Sequence, residues 1–172
     1  PRHIHWPATA ATGDLLVKQF QPAIARDSAI FLNLDREDYA RHSYPEPTIE
    51  LAITVAASVA NHILTFEDLP VGLVATALDP LAGETRSFNL SPRKGRGRLV
   101  QILEILARVQ AARETYFLER VRRAAVHLGW GTTLIIITDQ AITQALSRTV
   151  VMLKRTGFQM TLVLIYPMGG YG

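Results

Sequence analysis

AIFLNLD, residues 29–35, is apolar at five of its seven positions and lacks the in-out alternation of a half-exposed strand. A run of this kind is buried on both faces, which requires a sheet covered by helices on each side. It also leads straight into acids, since Asp35, Glu37 and Asp38 close the stretch AIFLNLDREDY at 29–39. Three more runs share its character: PVGLVATAL (70–78), TTLIIIT (132–138) and MTLVLIY (160–166).

Helical spacing fills the intervals between these runs. Ile49, Ile53, Ala56, Ala60 and Ile63 recur on one face, with Pro47 suited to a first turn. A second helix carries Leu99, Ile102, Leu103 and Leu106. A third carries Phe117, Val121, Ala124 and Leu128 and stops at Gly129, and a fourth carries Ile142, Leu146, Val150 and Leu153 and stops at Gly157. Strands interleaved with helices predict an α/β fold, a three-layer, doubly wound and mostly parallel sheet. TRSFNL (85–90) follows the second run after only DPLAGE, too short for a parallel crossover, so it is expected to return as one antiparallel edge strand. Before the first run, Ile4 and Trp6 alternate with polar neighbours and GDLLVKQF reads as a further short strand. The expected organisation is an N-terminal strand segment, 1–28, leading into one domain, 29–172.

Composition supports a single core. The 172 residues are 48% hydrophobic and 19% charged, a globular balance in a chain long enough for one sizeable domain. Without cysteine, neither disulfides nor a thiolate zinc site is available. Apolar runs fall short of the roughly 18 residues of a membrane helix, so the fragment is expected to be soluble. It begins at Pro1 and reads as an excised piece of a longer chain. The net charge of +3 is concentrated, with Arg86, Arg93, Lys94, Arg96 and Arg98 lying in RSFNLSPRKGRGR without an acid. Arg93, Lys94, Gly95, Arg96 and Gly97 are therefore candidate anion-binding residues at a helix start. Only Phe88 offers an aromatic for stacking, so nucleic acid is not expected as a partner.

RHIHWPATAATGDLLVKQF (2–20), LNLD (32–35), PTIELAITVAASVA (47–60), PVGLV (70–74), GRGRLVQILEILARV (95–109) and GTTLIIITD (131–139) together resemble the bacterial family catalogued as domain of unknown function 58. The most specific part is the opening carried by Arg2, Ile4, Trp6, Thr9 and Ala10; Ala11 stands where that family has an arginine. The C-terminal half of the family is similar to a von Willebrand factor A domain. In such domains the first strand ends in Asp-x-Ser-x-Ser, a later loop supplies a threonine, and an aspartate follows the fourth strand, together holding a divalent cation through oxygen ligands. Here Asp35 and Asp139 match, but Glu37 and Tyr39 replace the serines, Gln140 replaces a glycine, and the segment before Leu99 offers glycines and arginines. The expectation is a degenerate remnant at Asp35, Glu37 and Asp139, with no metal and no cofactor. A rebuilt carboxylate site on the same three residues is the competing reading.

An enzymatic alternative starts from the same strand end. Aspartate with a second acid two residues on resembles haloacid-dehalogenase-type phosphotransferases, in which Asp35 would attack phosphorus beside magnesium and Thr76 would hold the phosphate. Such a site needs a late acidic pair, and only Asp139 is supplied. No Gly-x-Ser-x-Gly elbow, Walker loop or His-Glu-x-x-His occurs. His3 and His5 lack a third ligand, and His42, His62 and His127 stand alone in sequence. The reading adopted is a non-enzymatic protein-protein interaction module, with Asp35, Tyr39, Tyr44 and Asp139 as candidate partner-binding residues on loops at the carboxyl edge. Both tyrosines are expected to be exposed there, so that alanine at either leaves the domain folded. The resemblance implies a bacterial, membrane-associated protein anchored upstream, this domain in the cytoplasm, and a MoxR-type AAA+ ATPase as the partner.

Overall fold

In the computed structural model the described residues are 3–4, 17–18, 27–113, 116–139 and 142–166. A short antiparallel pair, β1 (His3–Ile4) and β2 (Val17–Lys18), precedes the domain. Then follow β3 (Ser28–Leu32), α1 (Arg36–Tyr39), α2 (Pro45–Thr65), β4 (Val71–Asp79), β5 (Glu84–Arg93), α3 (Arg96–Leu106), α4 (Phe117–Ala125), β6 (Thr133–Thr138), α5 (Gln144–Arg155) and β7 (Gln159–Leu164).

The five long strands form one sheet in the order β5-β4-β3-β6-β7. β3 pairs parallel with both β4 and β6, β6 pairs parallel with β7, and β4 and β5 are antiparallel. This is the doubly wound sheet with one antiparallel edge strand expected of a von Willebrand factor A-like fold. Strand order reverses at β3 and β6, so right-handed crossovers send α2 to one face and α5 to the other. Side-chain parity agrees. Ile30, Leu32, Leu73, Ala75, Ile135 and Ile137 pack with Ile53 and Ala56 of α2 and Ile102 of α3. Ala29, Phe31, Val74, Leu134 and Ile136 pack with Phe117 and Val121 of α4 and Leu153 of α5. Each fully buried side chain of this size contributes about 1.5–3 kcal/mol, which is why strands with two apolar faces belong in the middle layer.

Several boundaries move for local reasons. β3 stops at Leu32 rather than Asp35, because the chain then parts from β4 and turns until Asp35 bridges Ala112. α5 starts at Gln144 rather than Ile142, since the Thr143 hydroxyl accepts from the Leu146 N–H at 3.2 Å and sets the cap. Gly157 adopts the left-handed φ of +102° expected of a helix stop, whereas α4 ends at Ala125 without that device at Gly129. The expected loop 36–47 holds α1 and the first turn of α2. Of the N-terminal motif, Arg2, Trp6, Thr9, Ala10 and Ala11 lie outside the described residues, as does His5.

The hairpin supplies a sharp test of packing. The β4–β5 register shifts between Val71 and Leu73, and a β-carbon at Gly72 would come within 2.4 Å of the Leu90 carbonyl oxygen and 3.0 Å of Pro92 N. Gly72→Ala is expected to cost about 1–3 kcal/mol through overpacking, read as a lower urea midpoint with unchanged slope.

Candidate functional site

Asn33 organises the carboxyl edge of the sheet. It is fully buried just beyond β3. Its side-chain amide donates to Asp38 Oδ2 at 2.7 Å and to Thr138 Oγ1 at 3.0 Å, its side-chain carbonyl accepts from the Asp35 N–H at 3.0 Å, and its backbone carbonyl accepts from the Tyr39 hydroxyl at 2.9 Å. A buried amide satisfied at every turn pins the strand end to α1 and to β6 together. Asp35 is buried too, and its carboxylate caps α1 by accepting from the Glu37 N–H at 3.0 Å. Ala112 joins the same edge, accepting from the Arg36 N–H at 2.8 Å and donating to the Leu34 carbonyl at 3.1 Å.

Tyr39 corrects an expectation. It is wholly buried among the core residues rather than exposed on a loop. Burial first, then the Asp139 and Asp38 carboxylates, push its phenol well above the ordinary tyrosine value. Tyr44, by contrast, is exposed as expected.

Asp139 follows β6 with its side chain removed from water. Arg41 Nη2 lies 2.6 Å from one carboxylate oxygen and also donates to the Asp139 backbone carbonyl, while His42 Nε2 meets the other oxygen. His42, solitary in sequence, is therefore half of a clamp. A buried carboxylate needs such partners, because desolvating a lone charge is costly. Asp35 and Asp139 follow the carboxyl ends of the neighbouring strands β3 and β6, at the switch point, Asp35 three residues beyond its strand. As direct partner contacts, however, Asp35, Tyr39 and Asp139 are all corrected to buried residues, leaving Tyr44 as the accessible one.

The donor set does not suit a divalent cation. Asp35 caps a helix, Asp139 is held by Arg41 and His42, and Glu37 is exposed and lies 3.5 Å from Arg113. Among the described residues no group of three His, Cys, Asp or Glu side chains is placed to hold a metal. Gln140 lies outside the described residues. The resemblance puts the arginine-bearing segment before α3 where the threonine loop would be, beside these acids, and that placement is corrected. Arg93 pairs with Val71 at the start of β4, whereas Asp79 ends the strand roughly 26 Å away at about 3.3 Å per residue. The segment that reaches the carboxyl edge is instead the one after α3, where Gln110 bridges Leu78 and Ala112 bridges Asp35. Residues 114 and 115 of that segment lie outside the described residues.

Asp79 was not legible as a site residue. It is buried, accepts from the Leu81 N–H at 3.1 Å and pairs with Arg108 at 3.3 Å. Thr76 faces Ser87 across the hairpin, the two hydroxyl oxygens 3.4 Å apart. Away from this edge, Ser87 and Asn89 of β5, Arg120 and Arg123 of α4, and His127 just after it line a groove of about 760 Å³. Glu119 there accepts from Arg122 and Arg123, which hold its carboxyl below the usual range. His62 lies 3.3 Å from Glu67 and stacks on Phe66.

Comparison with known proteins adds little beyond the fold. Among solved structures the chain is similar to the pilus adhesin RrgA from Streptococcus pneumoniae, at 12% identity and a TM-score of 0.48. The match covers 71% of this chain and 21% of that one, so the chain spans about a fifth of the adhesin. No family model matches the sequence, and no curated protein does.

Tyr39 generates a paired prediction. Tyr39→Ala is expected to cost about 3–5 kcal/mol as a large core truncation, and Tyr39→Phe about 0.5–1.5 kcal/mol for the lost hydrogen bond, both by denaturant unfolding. The phenol also imposes a pH dependence. Its folded value is raised, so above about pH 10 the unfolded tyrosine ionises while the folded one stays protonated. Stability is thus complete below that pH and declines above it, by up to about 1.4 kcal/mol per pH unit. The decline should be shallower in Tyr39→Phe; identical alkaline profiles for the two proteins would refute the assignment.

Proposed function

We propose that the chain is a non-enzymatic protein-interaction module of von Willebrand factor A-like fold that works without a divalent cation, presenting the carboxyl edge of its sheet to a partner protein. The observation that carries this reading is the clamp of Arg41 and His42 on the buried Asp139 carboxylate. In a metal-dependent module that carboxylate would help to hold the ion through which a partner is engaged. Here the compensating charge belongs to the chain, so contact must be made by side chains around the edge.

Suitable side chains are present. Tyr44 before α2, Tyr116 before α4, Ile142 before α5 and Tyr166 after β7 are all exposed, and each lies on a segment entering or leaving the carboxyl edge. Exposed tyrosines on loops held by a rigid sheet suit a protein interface, where large amphipathic side chains dominate binding energy. The family resemblance supports a MoxR-type AAA+ ATPase as the partner and a membrane-associated full-length bacterial protein with this domain in the cytoplasm. The phosphotransferase alternative gains no support, because the Asp35 carboxylate caps α1 and Thr76 is turned towards Ser87.

Binding of a purified MoxR-type AAA+ ATPase tests the reading. Tyr44→Ala and Tyr166→Ala are each expected to weaken it about tenfold, equivalent to about 1.4 kcal/mol, with little change in thermal stability. Chelation by EDTA should leave the affinity unchanged. Undiminished binding by both folded variants would displace the interface from this edge, and loss of binding on chelation would overturn cation independence.

A further inference from the structure

The opposite, amino edge carries a separate concentration of charge at the start of α3. Gly95 caps that helix with φ +93°, no side chain caps it, and its first turn contains no acid. First-turn N–H groups have no partner within a helix and together carry partial positive charge. Gly95 and Gly97 leave open space where a side chain would begin, so the backbone there can be approached closely. A bare helix start is not in itself a site. What distinguishes this one is Arg98, in the same first turn.

Arg98 begins the inward stripe of α3, which continues through Ile102, Ile105 and Leu106, and it is only 6% exposed. One guanidinium nitrogen, Nη1, donates to Gln101 Oε1 at 2.9 Å. The Nε–H is buried and makes no hydrogen bond to any described residue. Buried arginines are ordinarily matched by a carboxylate or another anion. Among the described residues none forms an ion pair with Arg98, Arg93 or Arg96, and Asp68, the acid that approaches this segment, is taken by Lys94 at 3.0 Å. The charge that acts on Arg98 is a second cation, Arg93; burial and then that neighbour lower its pKa from the ordinary arginine value. Arg93 ends β5 two residues before the Gly95 cap and Arg98 lies in the first turn after it, so both arginines flank one helix start whose first turn holds no acid, an arrangement that favours an anion.

We propose that the start of α3 is an oxyanion site that takes a phosphate-type group between the backbone N–H groups of Arg96 and Gly97 and the guanidinium groups of Arg93 and Arg98. Planar guanidinium forks and helix-start amides match the several acceptor oxygens of a phosphate better than a halide. The group could be free or the headgroup of a phospholipid. The site lies at the other end of the sheet from the proposed protein interface and is independent of it.

Isothermal titration with inorganic phosphate, at constant ionic strength maintained with chloride, tests the site. Saturable binding is expected, weakened about tenfold or more by Arg93→Gln and by Arg98→Met. Arg148→Gln, an exposed arginine on α5, should bind like the wild type. Should Arg98→Met fail to fold by circular dichroism, the exposed Arg93→Gln decides alone. Sedimentation with phosphatidylcholine vesicles containing phosphatidic acid, competed by phosphate, identifies a lipid headgroup as the source. Binding of soluble phosphate without sedimentation identifies free phosphate, and either result sustains the site. No saturable heat from the wild type, or binding by folded Arg93→Gln equal to the wild type, would overturn it.

Discussion

A carboxylate withdrawn from water must be met by positive charge and hydrogen bonds, and at Asp139 the charge of Arg41 and the ring nitrogen of His42 come from 98 and 97 positions earlier in the chain. This one requirement shapes the whole carboxyl edge. To bring Arg41 and His42 over the end of β6, the chain after β3 must turn at once, which the Asp35 cap and the Asn33 amide enforce. The turn in its course folds Tyr39 beneath itself and leaves Tyr44 outside. Asp35 and Asp139 are thereby committed to contacts within the chain.

The two ends of the sheet consequently differ in kind. At the carboxyl edge, Asp35, Asp79 and Asp139 are all buried and satisfied by caps or by the chain's own cations. At the amino edge, among the described residues, Arg93, Arg96 and Arg98 form no ion pair with an acid, and Asp68 is held by Lys94. The antiparallel course of β5 produces this separation, since it returns the chain to the amino edge before α3 begins. α3 then runs back along the sheet and delivers Gln110 and Ala112 to the carboxyl edge.

The fold was readable because its signals are long and redundant. Three runs buried on both faces, a fourth (160–166) that proves to be the half-exposed edge strand β7 rather than a doubly buried one, and four helical stripes leave one layered arrangement, and the six-residue link at 79–84 forces a hairpin. The site was less readable because its decisive contacts are local exceptions. Asn33 inside LNLD looks like an interruption of a strand, although it is the residue on which the edge is built. DREDYARH looks like a solvated loop, because a four-residue helix is too short to display a periodicity that would turn Tyr39 inward. The placement of the arginines beside the acids failed differently. An antiparallel β5 necessarily ends at the amino edge, so the hairpin predicted from the sequence already implied their separation from Asp35.

The pairing of β3 has a consequence for how the domain is acquired. β3 emerges first of the five strands, yet its β6 neighbour comes about a hundred residues later; Asn33 and Thr138, joined by a hydrogen bond, are 105 positions apart. Closing so long a stretch of chain costs entropy before any contact repays it, and folds dominated by such pairings form slowly. During synthesis one side of β3 therefore stays open until β6 has left the ribosome, while the β4–β5 hairpin, its partners only a few residues apart, can form much sooner. The centre of the finished sheet is thus closed later than its β4–β5 edge, and only β7 is added after it.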